Sequence, residues 1–176
     1  MSKRVCFSGN NQSISEIESY YNDTEQSLRM FFSTISPSYM IRFFSYTPCQ
    51  ISIELKERLE ELDQTACLSV LSSIEAAFRI DYLQRTYLRT RDKLSVDLRH
   101  LHALNGSRAS LDDILDIWRN NFPSLKSIIS ELKSAFNLRH WIAHGRYWKP
   151  KFGRKYDYQT IYTLALNIFS QITFVS

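Results

Sequence analysis

The residues with the clearest chemical potential lie in one short stretch, N-L-R-H-W-I-A-H-G, at positions 137–145. Arg139 precedes His144 by five positions, and His140 lies one helical turn before His144. An arginine can bind a phosphate through two parallel N–H bonds. An imidazole can give or take a proton near neutral pH. The two groups together suit phosphodiester cleavage, in which one moves protons and the other stabilises charge developing on the phosphate.

The apolar pattern predicts that this stretch forms the end of a helix that begins near Ser124. Continuing the inward-facing stripe of that helix leads to Arg139, so the arginine is expected at a position that a core residue would normally occupy. An unpaired charge there would be costly. Gly145 suits the left-handed position that follows many helices, and a helix end attracts positive charge to its exposed carbonyls. We therefore expect His144 at the exposed end of the helix.

A basic and aromatic segment follows these residues. Positions 138–176 hold six basic side chains and one acidic one, a net charge of +5, which leaves −1 for the rest of a chain whose total is +4. Such charge attracts a phosphate-bearing partner, and interleaved aromatic rings can stack on unpaired bases. A solvated loop whose rings cover the protein is the alternative. The candidate RNA-binding residues are Arg146, Tyr147, Trp148, Lys149, Lys151, Arg154 and Lys155.

The elements that must position these residues all have helical patterns. Only four Gly and four Pro occur in 176 residues, and this scarcity of turn formers argues against an all-β fold. Apolar residues recur at helical spacing over positions 13–35, over 52–89 as one kinked helix or two, and over 158–172. The helical pattern continues over positions 91–104 until N-G-S-R breaks it, and further helices are predicted after the N-cap Ser110 and after Pro123. The sequence therefore predicts an all-α bundle of about five or six helices, in one domain spanning positions 1–176.

Several classes of protein are disfavoured by composition. No apolar run approaches the roughly 18 residues that span a bilayer, and the basic N-terminus lacks the apolar region of a secretory signal. The three cysteines are widely spaced and odd in number, which predicts neither a disulfide framework nor a zinc ribbon. We expect a cytoplasmic protein with no membrane partner and no cofactor.

The motif Arg139-x4-His144, at a helix end in a small all-α chain, resembles the signature of the HEPN superfamily. A second stretch, S-S-I-E-A-A-F-R-I-D-Y-L-Q-R at positions 72–85, resembles the helix that supplies an acidic and a basic side chain to that motif in several HEPN groups. Glu75 and Arg79 are one turn apart there and would share a face. The resemblance covers these two helices well and the remainder only loosely.

This resemblance implies an antiparallel bundle that forms a homodimer, so that two Arg/His pairs face one cleft. It also implies a metal-independent endoribonuclease that uses the 2′-hydroxyl of RNA as nucleophile and leaves a cyclic phosphate. Many such proteins are toxins of toxin–antitoxin modules or antiviral defence effectors, so a cognate antitoxin is a possible partner. By the same resemblance Arg139 and His144 would be catalytic, and Glu75, Arg79, Asn137 and His140 would support them.

Three other interpretations stay open. His140 and His144 have the spacing of the zinc pair in H-E-x-x-H, although Trp141 replaces the glutamate and no third ligand is evident. Alternatively, Arg139 pairs with Glu75 and His144 caps its helix for structural reasons alone. The main functional rival is a non-catalytic HEPN-like module that binds RNA or a nucleotide.

Overall fold

The computed structural model describes residues 4–175 and is all-α, as the sequence predicts. Helices account for 73% of it, including two single 3-10 turns at Gly106–Arg108 and Pro123–Leu125, and the described residues contain no strand. Six longer helices and one short one follow one another, and no helix within residues 4–175 has the length and apolarity needed to cross a bilayer. The helices are α1 (Ile14–Phe31), α2 (Tyr39–Phe43), α3 (Pro48–Leu88), α4 (Lys93–Asn105), α5 (Leu111–Asn121), α6 (Lys126–Ala143) and α7 (Tyr158–Gln171).

The central element is α3, one continuous helix of 41 residues. It begins earlier than position 52 because Thr47 and Gln50 form a capping box and Pro48 occupies the permissive first turn. At about 1.5 Å per residue the helix is roughly 60 Å long. Its buried residues begin only at Ala66. The first third of α3 therefore extends beyond the main core and is accompanied by the end of α1 and by α2.

The core is a single cluster built along the later two thirds of α3. Val70, Leu71, Ile74, Phe78 and Tyr82 recur at helical spacing, and each is almost fully buried. Burying one such side chain contributes about 1.5–3 kcal/mol. This stripe also fixes the neighbouring face of α3, which carries Glu75 and Arg79, against α6. The partners in the core are the apolar residues of α4 to α7, among them Leu98, Leu115, Ile129, Leu132, Ile161 and Ile168.

The predicted helix starts are largely confirmed, whereas the end of the first helix differs. Ser13 and Glu16 form the predicted capping box of α1, and Ser110 caps α5 by accepting from a backbone N–H. α1 ends at Phe31 rather than near position 35. The chain turns there because Phe32 and Phe43 of α2 are both buried, with ring centroids 5.1 Å apart. The short helical piece predicted between the two prolines is α2.

Candidate active site

The motif lies at the C-terminal end of α6, where the backbone turns sharply. His144 is the C-cap, and Gly145 follows with a φ of 78°, a left-handed conformation that glycine adopts without strain. The N–H of Gly145 donates to the carbonyl of Ile142 (3.1 Å), and the N–H of Arg146 donates to the carbonyl of Trp141 (3.0 Å). These two bonds form a Schellman motif. The helix end predicted at His144 and Gly145 is therefore confirmed.

Arg139 is held by a carboxylate on α3. Its Nη2 lies 2.9 Å from Oε2 of Glu75, and the Nε of Arg79 donates to Oε1 of the same carboxylate at 2.7 Å. Arg79 also donates to the carbonyl of Ala109, just before α5, at 3.2 Å. Two guanidinium groups thus share one carboxylate, and the cluster of Glu75, Arg79 and Arg139 carries a net charge of +1.

The arginine lies at the rim of the α3–α6 contact rather than within the core. Its side chain is 35% exposed, whereas that of Glu75 is 16% exposed. The core positions in this part of α6 are Ala135, Leu138 and Ile142, so the stripe extrapolated from the sequence is displaced by one residue. The Nε of Arg139 is nevertheless buried, and no hydrogen-bond partner reaches it among residues 4–175. The guanidinium therefore keeps donors that Glu75 does not occupy.

The two histidines form an exposed pair at the same end of α6. The ring centroids of His140 and His144 are 4.2 Å apart, and the ring of Trp148 lies 5.8 Å from His140. Both histidines are exposed. Two neighbouring imidazoles allow one to accept a proton while the other donates one. No group of three or more His, Cys, Asp or Glu residues placed to hold a metal ion occurs among residues 4–175.

No hydrogen bond joins the side chains of Arg139 and His144 within residues 4–175. At 100° per residue, positions five apart on a helix differ by about 140° around its axis. Arg139 accordingly reaches towards α3, while His144 lies with His140 on the exposed side of the helix end. Asn137 is also exposed, and its side chain makes no hydrogen bond within the described residues. It lies about 200° around the helix from Arg139, so the structure does not bring it into the Glu75 cluster.

Two of the basic side chains after the motif are already paired with carboxylates. Arg146 makes two bonds of 2.6 and 2.7 Å to Glu61 of α3, and this pairing lowers the pKa of the Glu61 carboxyl. Arg154 lies 2.6 Å from Glu131 of α6 and stacks over the ring of Tyr156 at 4.7 Å. Sequence reasoning missed both carboxylates because Glu61 is 85 positions from Arg146 and neither acid belongs to a recognisable motif.

Among the remaining candidate RNA-binding residues, one is partly buried and four are exposed. Trp148 is partly buried, and its carbonyl accepts from the indole N–H of Trp141 at 2.7 Å, so it helps to fix the loop. Tyr147 is exposed. Lys149, Lys151 and Lys155 are exposed as well, and none forms an ion pair within the part of the chain that the structure describes. These three lysines are the available cations of the segment.

A second basic group lies at the other end of α3, where sequence reasoning assigned no contact. Arg89, Arg91 and Lys93 are exposed around the turn between α3 and α4. About 20 Å of helix separates Arg89 from Glu75, which pairs with Arg139 of the motif. The signal in the sequence was the run R-T-R-D-K at positions 89–93, which is short and interrupted by an acid.

Comparisons of the chain with protein family models, with curated proteins and with solved structures gave no match.

Proposed function

We propose that this chain is a metal-independent endoribonuclease of the HEPN type, with Arg139 as the phosphate clamp and His144 as the proton-transfer group. The observation that carries the proposal is the cluster of Glu75, Arg79 and Arg139. It holds an arginine at the protein surface with a net charge of +1, at the helix end that also carries two exposed imidazoles. An anion such as an RNA phosphate suits the unoccupied guanidinium donors.

The proposed reaction is an internal transfer within the RNA. The 2′-oxygen attacks the adjacent phosphorus while an imidazole accepts the 2′-hydroxyl proton. The bond from phosphorus to the 5′-oxygen breaks, and that oxygen takes up a proton from the second imidazole. The products are a 2′,3′-cyclic phosphate and a 5′-hydroxyl end. Arg139 would stabilise the additional negative charge on the phosphate oxygens, and His140, 4.2 Å from His144, is the candidate for the second proton transfer.

RNA binding would rely on the exposed part of the basic segment. Lys149, Lys151 and Lys155 would contact phosphates, and Tyr147 would offer a ring for stacking. Arg146 and Arg154 would contribute less, because each would have to give up a carboxylate that is already within 2.6 Å.

We further propose that the active form is a homodimer with the two motif helices near its two-fold axis. A single Arg/His pair whose side chains share no hydrogen bond is a sparse active site, and two copies would double the charge and the imidazoles of one cleft. Self-association is supported by the apolar side chains that the region around α2 exposes, which include Ile35, Met40, Ile41 and Phe44. The proposed setting is the cytoplasm, as a toxin or antiviral defence effector held in check by a cognate antitoxin.

The rival is a non-catalytic module that binds RNA or a nucleotide. It is favoured by the ion pair of Arg139 with Glu75, since a partly buried carboxylate held by two arginines can serve structure alone. In that case the exposed lysines would still bind phosphates, but the histidines would have no reaction to catalyse.

The two proposals are separated by purified His144→Ala and Arg139→Ala proteins incubated with mixed RNA in excess EDTA. The parent protein is expected to cleave RNA and leave 2′,3′-cyclic phosphate ends, and each variant is expected to lose at least about 100-fold of the rate. Both should stay folded, because Arg79 still neutralises Glu75 when Arg139 is absent. Cleavage by His144→Ala at the parent rate would refute the catalytic role.

Binding is measured in parallel as a function of salt. Replacing Lys149, Lys151 and Lys155 with Ala should reduce the slope of log affinity against log salt by about two for single-stranded RNA. The matched control replaces three exposed lysines elsewhere, Lys56, Lys93 and Lys126. Salt-dependent binding without cleavage in the parent protein would support the rival. An equal slope change in both triple variants would remove the basic segment from the proposal.

A further inference from the structure

A second candidate site lies away from the motif, in a cleft between α1, the middle of α3 and the start of α7. The cleft has a volume of about 430 Å³ and is lined mainly by polar side chains. Three tyrosines, Tyr21, Tyr158 and Tyr162, form much of its wall. The rings of Tyr21 and Tyr158 are stacked, with centroids 3.8 Å apart. The wall is therefore aromatic and rigidly packed.

The cleft is strongly acidic although the chain as a whole is basic. Its lining contains four carboxylates and one lysine, Lys155, a net charge of −3. Two of the carboxylates are held by tyrosine hydroxyls: Tyr21 donates to Asp63 at 2.7 Å, and Tyr162 donates to Glu18 at 2.6 Å. Neither Asp63 nor Glu18 forms an ion pair within residues 4–175. Their negative charges are therefore oriented but not neutralised.

The other two carboxylates are already engaged. Asp157 accepts from the backbone N–H and the hydroxyl of Thr160 as the cap of α7. Glu25 pairs with Arg29 one turn further along α1 at 2.7 Å. Asp63 and Glu18 are thus the charges available to a ligand.

One of the residues that line this cleft carries a buried hydroxyl. Tyr158 is only 5% exposed, and no hydrogen-bond partner reaches its hydroxyl among the described residues. Burial, together with the nearby charge of Glu18, raises the pKa of Tyr158 to about 12, so this hydroxyl stays protonated at neutral pH. A buried polar atom normally has a partner, so this one points to a missing ligand.

We propose that this cleft binds an alkylammonium group, either of a small polyamine or of a lysine side chain. A primary ammonium has three N–H donors, which match the carboxylates of Asp63 and Glu18 and the free lone pairs of the Tyr158 hydroxyl. Its alkyl stem would pack on the tyrosine rings, and the rings also attract a cation. The net charge of −3 excludes nucleic acid as the occupant.

An organic cation fits better than a metal ion. The carboxylates of the cleft do not converge as a group of three ligands within the described residues, and hard metal ions need several oxygens around one point. An ammonium needs only hydrogen-bond acceptors, so the carboxylates of Asp63 and Glu18 with one tyrosine hydroxyl are sufficient for it.

The test is calorimetric titration of the full-length protein with 1,4-diaminobutane, with 1,4-butanediol as the uncharged probe of equal length. Diamine is expected to bind and diol is not. Asp63→Asn and Glu18→Gln, which keep an acceptor for each tyrosine, should each weaken diamine binding about tenfold, the loss expected for one charge-assisted bond. The control variant is Glu57→Gln, which changes an exposed acidic residue of α3, the helix that also carries Asp63. It should leave the diamine affinity unchanged.

The Tyr158→Phe variant tests the site with a change that should not disturb folding. It removes a hydroxyl that has no partner, so thermal stability should be retained while diamine affinity falls. Titration with Nα-acetyl-lysine methylamide then identifies the source: binding comparable to that of the diamine indicates a lysine side chain, and binding of the diamine alone indicates a free polyamine. Diamine binding that is absent, or equal in Asp63→Asn and Glu57→Gln, would overturn the proposal.

Discussion

At the scale of single residues, Glu75 decides how the motif arginine is presented. Its carboxylate accepts from Arg79 on its own helix and meets Arg139 on α6. Arg79 neutralises the partly buried carboxylate, so Glu75 positions Arg139 without occupying all of its N–H donors. This arrangement explains how a charged residue can stand at the rim of an apolar helix contact, where an isolated charge would be costly.

Replacing Glu75 with Gln should destabilise the fold by about 1–2 kcal/mol, because two partly buried guanidinium groups would then share a neutral amide. On the proposed function it should also lower the cleavage rate, since Arg139 would lose its anchor. Urea unfolding and RNA cleavage are measured on the same preparation, with Glu57→Gln as the exposed control on α3. Equal stability of the two variants would show that the pair contributes little to folding.

At the scale of elements, helix termini position both candidate sites. The Schellman motif at the end of α6 turns the chain at His144, and the cap at the start of α7 fixes Tyr158 beside Asp63. Asp157 provides that cap by accepting from the N–H of Thr160 at 2.9 Å. The hydrogen bonds from Thr160 lower the pKa of the Asp157 carboxyl. Each site thus depends on a local terminus whose residues are close in sequence.

Asp157→Ala should cost about 1 kcal/mol of folding free energy at neutral pH, the usual value of an N-cap. Because the pKa of Asp157 is lower in the folded than in the unfolded state, its contribution is complete above the unfolded carboxyl pKa of about 3.9 and is lost as the pH falls through the folded value. Unfolding free energies of parent and variant should therefore differ at about pH 7 and converge as the pH falls below about 3.9. A constant difference would mean that the charge of Asp157 contributes nothing.

At the scale of the whole molecule, the extension formed by α2, the end of α1 and the first third of α3 is the most conspicuous apolar surface. Ile41 and Phe44 are each 85% exposed, and Met40, Ile35 and Ile53 lie exposed in the same part of the chain. Contiguous apolar patches on this scale usually mark an interface, and a stable dimer buries about 800 Å² on each partner.

The parent protein should therefore sediment as a dimer at micromolar concentration, and the double variant Ile41→Asp with Phe44→Asp should shift it towards monomer. The helical circular dichroism spectrum should be unchanged, because neither side chain belongs to the core. Leu104→Asp is the matched control, since Leu104 is 83% exposed but lies at the end of α4. A parent protein that sediments as a monomer would contradict the proposed assembly, and a dimer that persists in the double variant would place its interface elsewhere.

The sequence by itself determined the features that depend on neighbours in the chain. The helical class, the capping box of Ser13 and Glu16, the cap at Ser110 and the helix end at Gly145 all follow from interactions within about one turn. The pairing of Glu75 with Arg139 was also predicted from the sequence, but through a resemblance rather than through spacing. Whether these residues catalyse RNA cleavage stays a prediction.

Only the tertiary structure decided which distant groups meet. The pairs of Arg146 with Glu61 and of Arg154 with Glu131 reduce the charge of a segment that looked uniformly basic. The contact of Tyr21 with Asp63 spans 42 positions, and that of Tyr162 with Glu18 spans 144. Such contacts arise because the apolar stripe of α3 fixes how each helix packed on it is rotated about its own axis and where it lies along α3. Both quantities are set by the burial of the whole core rather than by any local sequence pattern.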